Sequence, residues 1–270
     1  MTVCIAATCG DGRALVVASD RMLSAPFLTL EFDHADAKID RIGNSCVALT
    51  AGDALSVHDV LAGGFGIATQ LIDPQVEFIA EQIKNRFVVV RKRRIDDIIL
   101  GPRGFDFDSF YAVGIKSLPG DLAMLIDSQI QQHQLGSSLI LAGVDATGAH
   151  IYAIGDPGAT QCFDRLGYHS IGSGHRHALL TLVSRQQHKS TDVHTTIFNV
   201  FTAKRSAELA PGVGAATEMR VITKEGVVSL TADKIARLET IFREDVKPRE
   251  STSDAIRQLH EEEASQDAKF

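Results

Sequence analysis

Two short runs of small and branched apolar residues constrain the fold more than any other feature of this sequence. They are residues 2–8 (TVCIAAT) and 14–19 (ALVVAS), and Gly10-Asp11-Gly12 lies between them. Each run is too short for a typical helix and lacks the alternation of a half-exposed strand, so each predicts a strand covered on both faces. The Gly-Asp-Gly segment is a turn signal. The two runs therefore predict a hairpin inside a layered structure.

The rest of the chain predicts strands and helices in groups. Three more hairpins are predicted, with strands at 38–42 and 45–51, 138–144 and 150–154, and 217–223 and 227–230. Helices are predicted after Gly52-Asp53, over 74–87 and 175–187, and after Thr191-Asp192. Because the helices do not alternate singly with the strands, this order predicts an α+β fold with stacked sheets and outer helical layers, not a doubly wound parallel sheet.

The composition changes near residue 231, and this change predicts two parts, 1–230 and 231–270. Residues 231–242 predict a helix with Ile235, Leu238 and Phe242 on one side. The remainder, 251–270, is highly charged and is either a peripheral helix or a loosely held tail. The second part is therefore interpreted as a helical, charged extension.

Charge and hydropathy exclude several classes of function. The chain has 27 Lys and Arg against 34 Asp and Glu, a net charge of −7, which is not the electrostatic pattern of a nucleic-acid-binding protein. No apolar run reaches the roughly 18 residues of a membrane helix, and no basic segment precedes an apolar run as in a secretory signal. We therefore expect neither nucleic acid nor membrane as a partner, and a cytoplasmic location.

No metal or cofactor is expected. The four cysteines lack metal-like spacing and are interpreted as reduced thiols: Cys4, Cys9, Cys46 and Cys162. His175 and His177 are two residues apart on a predicted helix, so they point to different faces and make a poor metal pair. The glycines at 63–66 lack the lysine and the preceding strand of a phosphate-binding loop.

Hairpin geometry brings four polar or glycine positions to one end of the predicted sheets. The first hairpin, with its turn centred in the Gly-Asp-Gly segment, places Thr2 opposite Asp20. The second places Lys38 opposite Leu49, with Gly52 just beyond. If the open ends of both hairpins meet, Thr2, Asp20, Lys38 and Gly52 converge.

These four residues have the chemistry of a nucleophile site. Methionine aminopeptidases remove Met1 before a small residue, so Thr2 would carry both a hydroxyl and a free α-amine. An α-amine has an ordinary pKa of about 7.7–8.0 and can serve as general base for its own hydroxyl. Lys38 would favour the neutral amine, and Asp20 would hold Lys38 in place. Gly52 has no Cβ to keep its N–H from a developing oxyanion.

Eight collinear segments carry a resemblance to a known family. They are TVCIA (2–6), DG (11–12), ASDR (18–21), KI (38–39), AG (51–52), LILAGVD (139–145), IYAIGDPG (151–158) and IGSG (171–174). In order and approximate spacing the sequence resembles proteasome β-type subunits. It looks like a bacterial proteasome-like protein of the N-terminal-nucleophile hydrolase superfamily, near the ancestral-β-subunit and β-proteasome-homologue groups.

The resemblance implies a four-layer αββα sandwich and a threonine-type peptidase. Carried over by position, Thr2 is the nucleophile and Asp20 and Lys38 support it. Gly52 supplies the oxyanion N–H, and Ser173 lies near the Thr2 amine. Family members assemble into rings or open helical stacks, so the resemblance implies a homo-oligomer that acts on peptides or unfolded proteins, with any unfoldase partner unidentified.

One segment departs from the family pattern. Family members complete the site with an Asp and a Ser near the fifth helix, where this chain reads SAELAPGVG (206–214). Glu208 is the nearest acid and is taken as the candidate, while Gly212 falls roughly where the Ser belongs. Two alternatives stay open: a catalytically inactive proteasome-like scaffold, and an amidase of the same fold that cleaves a small amide.

Overall fold

The computed structural model describes residues 2–25, 30–33, 38–68 and 74–245. The chain divides into two compact units, 1–230 and 231–270. The charged segment 251–270, predicted as a helix or tail, lies outside the described residues. The first unit contains all of the strands given below, and the second is described only as far as Asp245.

Twelve strands form antiparallel pairs in the described part of the chain. In chain order they are β1 Cys4–Cys9, β2 Ala14–Asp20, β3 Met22–Ala25, β4 Leu30–Asp33, β5 Ile39–Arg41, β6 Cys46–Gly52, β7 Ser137–Asp145, β8 Gly148–Gly155, β9 Ala159–Cys162, β10 Tyr168–Ile171, β11 Thr217–Thr223 and β12 Gly226–Ser229. One five-stranded sheet has the order β10-β1-β2-β11-β12, and the other has the order β5-β6-β7-β8-β9. Strands β3 and β4 form a separate pair.

The α-helices fall between these groups of strands. They are α1 Ala54–Ala68, α2 Val76–Ile95, α3 Phe107–Ser109, α4 Ile115–Ser117, α5 Gly120–Gln132, α6 His175–Ser184, α7 Val193–Ala207 and α8 Ala232–Asp245. Two π-helical turns, Asp96–Leu100 and Phe110–Gly114, and one 3-10 turn, Gly101–Arg103, interrupt the segment between α2 and α4. The fold is therefore mixed α+β with two five-stranded antiparallel sheets, as the grouping of elements predicts.

Strands β1 and β2 are buried along their whole length, which confirms the prediction from their unbroken apolar runs. Alternate residues such as Ala6 and Val17 pack against Leu49 and Ile140 of the other sheet. On the opposite side, β1 and β2 contact α7. Burial of both faces explains why these strands lack polar alternation.

The other sheet is covered by α1 and α2. The buried face of α2 carries Ile79, Ile83 and Phe87, which pack on Leu139 and Leu141 of β7. This is the apolar stripe that helical spacing predicts for 76–87. It fixes α2 across the sheet and leaves the ends of β6 and β7 to form the walls of the site described below.

The two predicted hairpin registers are each wrong by one residue. In the structure Cys9 pairs with Ala14 across a four-residue loop, so Thr2 is not directly opposite Asp20. In the second hairpin Leu49 pairs with Ile39 rather than with Lys38. In both hairpins the turn is centred at a different point from the one predicted. A displaced turn changes every residue pair along the hairpin.

Residues 91–110, for which the sequence predicts no helix or strand, contribute to a small separate apolar cluster. Helix α2 runs on to Ile95, and the cluster joins Ile95, Leu100 and Phe110 to Ile126 and Ile130 of α5. No helix within the described ranges is long and apolar enough to cross a membrane.

Candidate active site

Thr2, Asp20 and Lys38 meet at one end of the first unit. Thr2 directly precedes β1, Asp20 ends β2, and Lys38 directly precedes β5. The Thr2 hydroxyl donates to Asp20 Oδ1 and accepts from Lys38 Nζ, and Lys38 Nζ lies 2.9 Å from Asp20 Oδ1. All three are buried, with exposed fractions of 3%, 0% and 8%. The convergence predicted from the hairpins is therefore present despite the register error.

Asp20 is the most heavily hydrogen-bonded member of this cluster. Its Oδ1 also accepts the backbone N–H of Val3 at 3.0 Å. Its Oδ2 accepts the N–H of Met22 at 3.2 Å and that of Gly214 at 3.1 Å. A carboxylate accepts through about four lone-pair sites, so these donors leave it satisfied without water. The result is a fixed negative charge beside the Lys38 ammonium.

Ser173 lies on the other side of Thr2. Its Oγ is 3.3 Å from the Thr2 nitrogen and 3.3 Å from the Thr2 carbonyl oxygen. Gly172, with a φ of +92°, brings this loop against Thr2, and a Cβ there would lie 2.8 Å from the Thr2 carbonyl carbon. Since real Cβ atoms do not make such contacts, only glycine allows this approach. The sequence prediction that Ser173 lies near the Thr2 nitrogen agrees with this geometry.

Gly52 and Thr2 line the same cleft, which has a volume of about 480 Å³. Gly52 ends β6 with a φ of +103°, and a Cβ there would lie 2.9 Å from the Cα of Ser137. Asp53, which follows, donates its N–H to the Gly136 carbonyl at 3.1 Å. Only glycine therefore fits between this end of β6 and the Gly136–Ser137 backbone, and it lines the cleft.

Glu208 is not brought into contact with this group. It follows α7, where its carboxylate lies 2.5 Å from Lys204 Nζ and 2.6 Å from Arg205. Among the described hydrogen bonds of Thr2, Asp20 and Lys38, none involves Glu208. The structure therefore brings together five of the six predicted site residues. The sixth, Glu208, is connected to Asp20 through Lys204 and Gly214.

Lys204 is the residue that connects Glu208 to the site, and the sequence reading missed it. Its side chain is fully buried, and Nζ donates to the carbonyls of Gly214 at 2.9 Å and Ala215 at 2.6 Å. The N–H of the same Gly214 binds Asp20. Burial lowers the pKa of Lys204, while hydrogen bonding to Glu208 favours the charged form.

Cys4 is close to the cluster but has the properties of a core residue. Its side chain is fully buried and Sγ lies 3.3 Å from the Thr50 carbonyl oxygen. Burial raises its pKa to about 12, which keeps it a thiol at neutral pH. Only the thiolate is an effective nucleophile, so the hydroxyl of Thr2 is the group placed for attack.

The described residues hold no cluster of three or more His, Cys, Asp or Glu that could bind a metal ion. The groups at Thr2 that could take part in a reaction are a hydroxyl, a nearby ammonium and a fixed carboxylate.

A scan against protein-family models and a search of curated proteins returned no match to this chain.

Proposed function

We propose that this chain is an amide-bond hydrolase of the threonine peptidase type, in which removal of Met1 exposes Thr2 as an N-terminal nucleophile. One observation carries the proposal. The Thr2 hydroxyl is hydrogen-bonded to both Lys38 and Asp20, and the Thr2 nitrogen lies 3.3 Å from Ser173 Oγ. A hydroxyl and an α-amine on one residue, each with its own polar partners, form a nucleophile and base pair.

Acylation begins when the Thr2 Oγ1 attacks the carbonyl carbon of a peptide bond in the cleft. The α-amine of Thr2 takes the hydroxyl proton, and the Lys38 ammonium stabilises negative charge on the attacking oxygen. The carbonyl oxygen becomes an oxyanion, for which Gly52 supplies a backbone N–H. Collapse of this intermediate breaks the C–N bond, and the leaving amine takes the proton from the Thr2 α-ammonium.

Deacylation repeats these steps with water. The α-amine of Thr2 removes a proton from water, whose oxygen attacks the ester carbonyl. The ester bond breaks, the proton returns to Oγ1, and the free acid leaves. Asp20 is held in place by the backbone N–H groups of Val3, Met22 and Gly214, which take no part in these steps. Its role is to hold Lys38 Nζ beside Oγ1.

We also propose that the fold is the four-layer αββα sandwich of proteasome-like N-terminal-nucleophile hydrolases. Two features support this: the contact between the two sheets through residues such as Val17 and Ile140, and the packing of α2 and α7 against different sheets. The nucleophile then lies at the end of the sandwich where β1 begins.

A homo-oligomer, either a ring or an open helical stack, fits large apolar side chains on the surface of the unit. Leu209, Met124 and Leu180 are 78%, 73% and 69% exposed. Contact between copies would remove this area from water.

The substrates of this chain would be peptides or unfolded proteins. A reducing, cytoplasmic compartment fits the free cysteines.

Intact-mass spectrometry with a peptide epoxyketone tests the proposal. This reagent forms a stable ring only with a hydroxyl and a free amine on the same residue. We expect loss of Met1 and addition of one reagent molecule per chain. Thr2→Ala and the nearly isosteric Thr2→Val should lose labelling by more than about 10³-fold, the order expected when a covalent nucleophile is removed.

Thr2→Ser is the matched control, because it keeps the hydroxyl and a residue small enough for Met1 removal. It should retain measurable labelling. Retention of Met1 would contradict the proposal and favour the scaffold alternative. Loss of Met1 without labelling would contradict peptide hydrolysis and favour the small-amide alternative.

A further inference from the structure

The cleft beside Thr2 is lined mostly by polar residue types, but it presents more carbon surface than polar surface. Its volume is about 480 Å³, and besides Thr2 it is lined by three serines, Gln134, Asp156, Ala51 and glycine backbone. The methyl group of Ala51 is the largest purely apolar side chain among these residues. The carbon stem of a long side chain can therefore pack in the cleft, and its polar head must find a partner there.

Among the side chains of the described residues that line this cleft, that of Asp156 is the one with a formal charge. Its two oxygens accept the backbone N–H groups of Leu135 and Gly136, each at 2.9 Å. These bonds fix the carboxylate in the wall. Each oxygen can accept a second hydrogen bond, so the carboxylate can still bind a donor from the cleft.

Lys38 and His133 do not cancel this charge. Lys38 is 8% exposed and is engaged with Asp20 and Thr2. His133 lies next to Gln134 in the chain, but burial and the Arg91 charge lower its pKa from 6.5, so it is neutral at neutral pH. With the Thr2 α-amine in the neutral form that acts as base, the described lining of the cleft is net negative.

We propose that this cleft selects substrates with a basic side chain, a lysine ammonium or an arginine guanidinium, next to the bond that Thr2 attacks. This inference rests on the proposed function. The substrate cation would bind Asp156 and hydrogen-bond to the serine hydroxyls. A carboxylate at the same substrate position would be repelled.

A set of three peptide epoxyketones tests this selectivity on the full chain. They differ only at the residue next to the warhead, which is lysine, leucine or glutamate. The second-order rate of covalent labelling is measured by intact mass. We expect the lysine probe to react about tenfold faster than the leucine probe and the glutamate probe to be slowest, as one unscreened ion pair at a half-exposed site implies.

Gln134→Lys tests the charge of the cleft without removing Asp156 from its backbone contacts. Gln134 is exposed, and a lysine there would place a positive charge at the cleft. We expect the rate ratio of the lysine probe to the leucine probe to fall about tenfold. Gln132→Lys is the matched control, because Gln132 is also exposed but does not line the cleft. Its ratio should stay within about twofold of the parent protein.

The outcomes separate this inference from the proposed function. Equal labelling by all three probes, or fastest labelling by the leucine probe, would overturn the inference and leave the threonine nucleophile standing. An unchanged ratio in Gln134→Lys would also overturn it. Failure of every probe to label Thr2 would overturn the proposed function, and with it the inference.

Discussion

Asp20 is a buried carboxylate that forms an ion pair with the Lys38 ammonium 2.9 Å away. Removing one member of a buried ion pair leaves the other uncompensated and costs about 3–5 kcal/mol. Replacing both members by neutral groups avoids most of that cost. Stability and chemistry can therefore be separated at this pair.

Lys38→Met should lower the free energy of unfolding by about 3–5 kcal/mol. The double variant Lys38→Met/Asp20→Asn should recover about half of that loss or more, because no lone charge remains. Neither variant should label with epoxyketone at more than about 1% of the parent rate, since both lack the ammonium at Thr2 Oγ1. Urea unfolding and intact mass measure the two effects. Recovery of labelling in the double variant would show that Lys38 serves only the fold.

The cluster of Thr2, Asp20 and Lys38 could be predicted from the sequence although both hairpin registers were placed wrongly. A one-residue shift at a turn moves paired residues by only one position along the strand. Thr2, Asp20 and Lys38 still lie at the open ends of their hairpins after that shift. The prediction for Glu208 did not hold in the same way, because its environment depends on the path of the loop after α7, which spacing does not specify.

At the scale of elements, helix α7 and the loop that follows it help to position Asp20. Lys204 on α7 holds the carbonyls of Gly214 and Ala215, and Gly214 N–H holds Asp20. A signal for this lysine was present in the sequence. It lies four residues after Val200 and three before Ala207, so it falls on the buried stripe of the helix. A basic residue near a helix end is usually solvated, which is why the signal was passed over.

Lys204→Met should slow labelling of Thr2 by about tenfold or more. The loop that directs the Gly214 N–H at Asp20 would lose the hydrogen bonds from Lys204 Nζ that hold it. We expect the maximal rate of labelling to fall while the probe concentration for half-maximal rate stays unchanged. Arg205→Met is the matched control: it also removes a cation from Glu208, but it leaves the Lys204 bonds to the Gly214 and Ala215 carbonyls in place. Its labelling should stay within about twofold of the parent protein. Equal losses in both variants would assign the effect to Glu208 instead.

For the whole molecule, the sequence was most informative where both faces of a strand are covered. Continuous apolar runs identified β1 and β2, and helical spacing of apolar residues identified α2. In each case the positions of the apolar residues follow the faces that are buried. The segment from Arg91 to Phe110 was not predictable in the same way. Its π-helical turns bury residues at irregular spacing, so neither pattern is present.

The same burial makes the stability of the first unit depend on pH. His169 of β10 stacks on Phe163 with ring centroids 3.7 Å apart, and burial, with a smaller contribution from His175, lowers its pKa from 6.5 to about 4. Between these two values the unfolded chain binds a proton at this position and the folded chain does not. The free energy of unfolding should therefore fall as pH falls from about 6.5 to about 4, by at most about 1.4 kcal/mol per pH unit.

His169→Phe should remove this contribution and keep the ring stacked on Phe163. We expect its free energy of unfolding, measured by urea titration at several pH values, to be about 1–3 kcal/mol less sensitive to acid across the interval than that of the parent protein. His177→Phe is the control, because His177 is exposed on α6 and should leave the slope unchanged. An equal slope in the parent protein and His169→Phe would mean that His169 is protonated in the folded state well above pH 4. Water would then reach the ring, and the interface of β10 with β1 would be more open to solvent than its burial indicates.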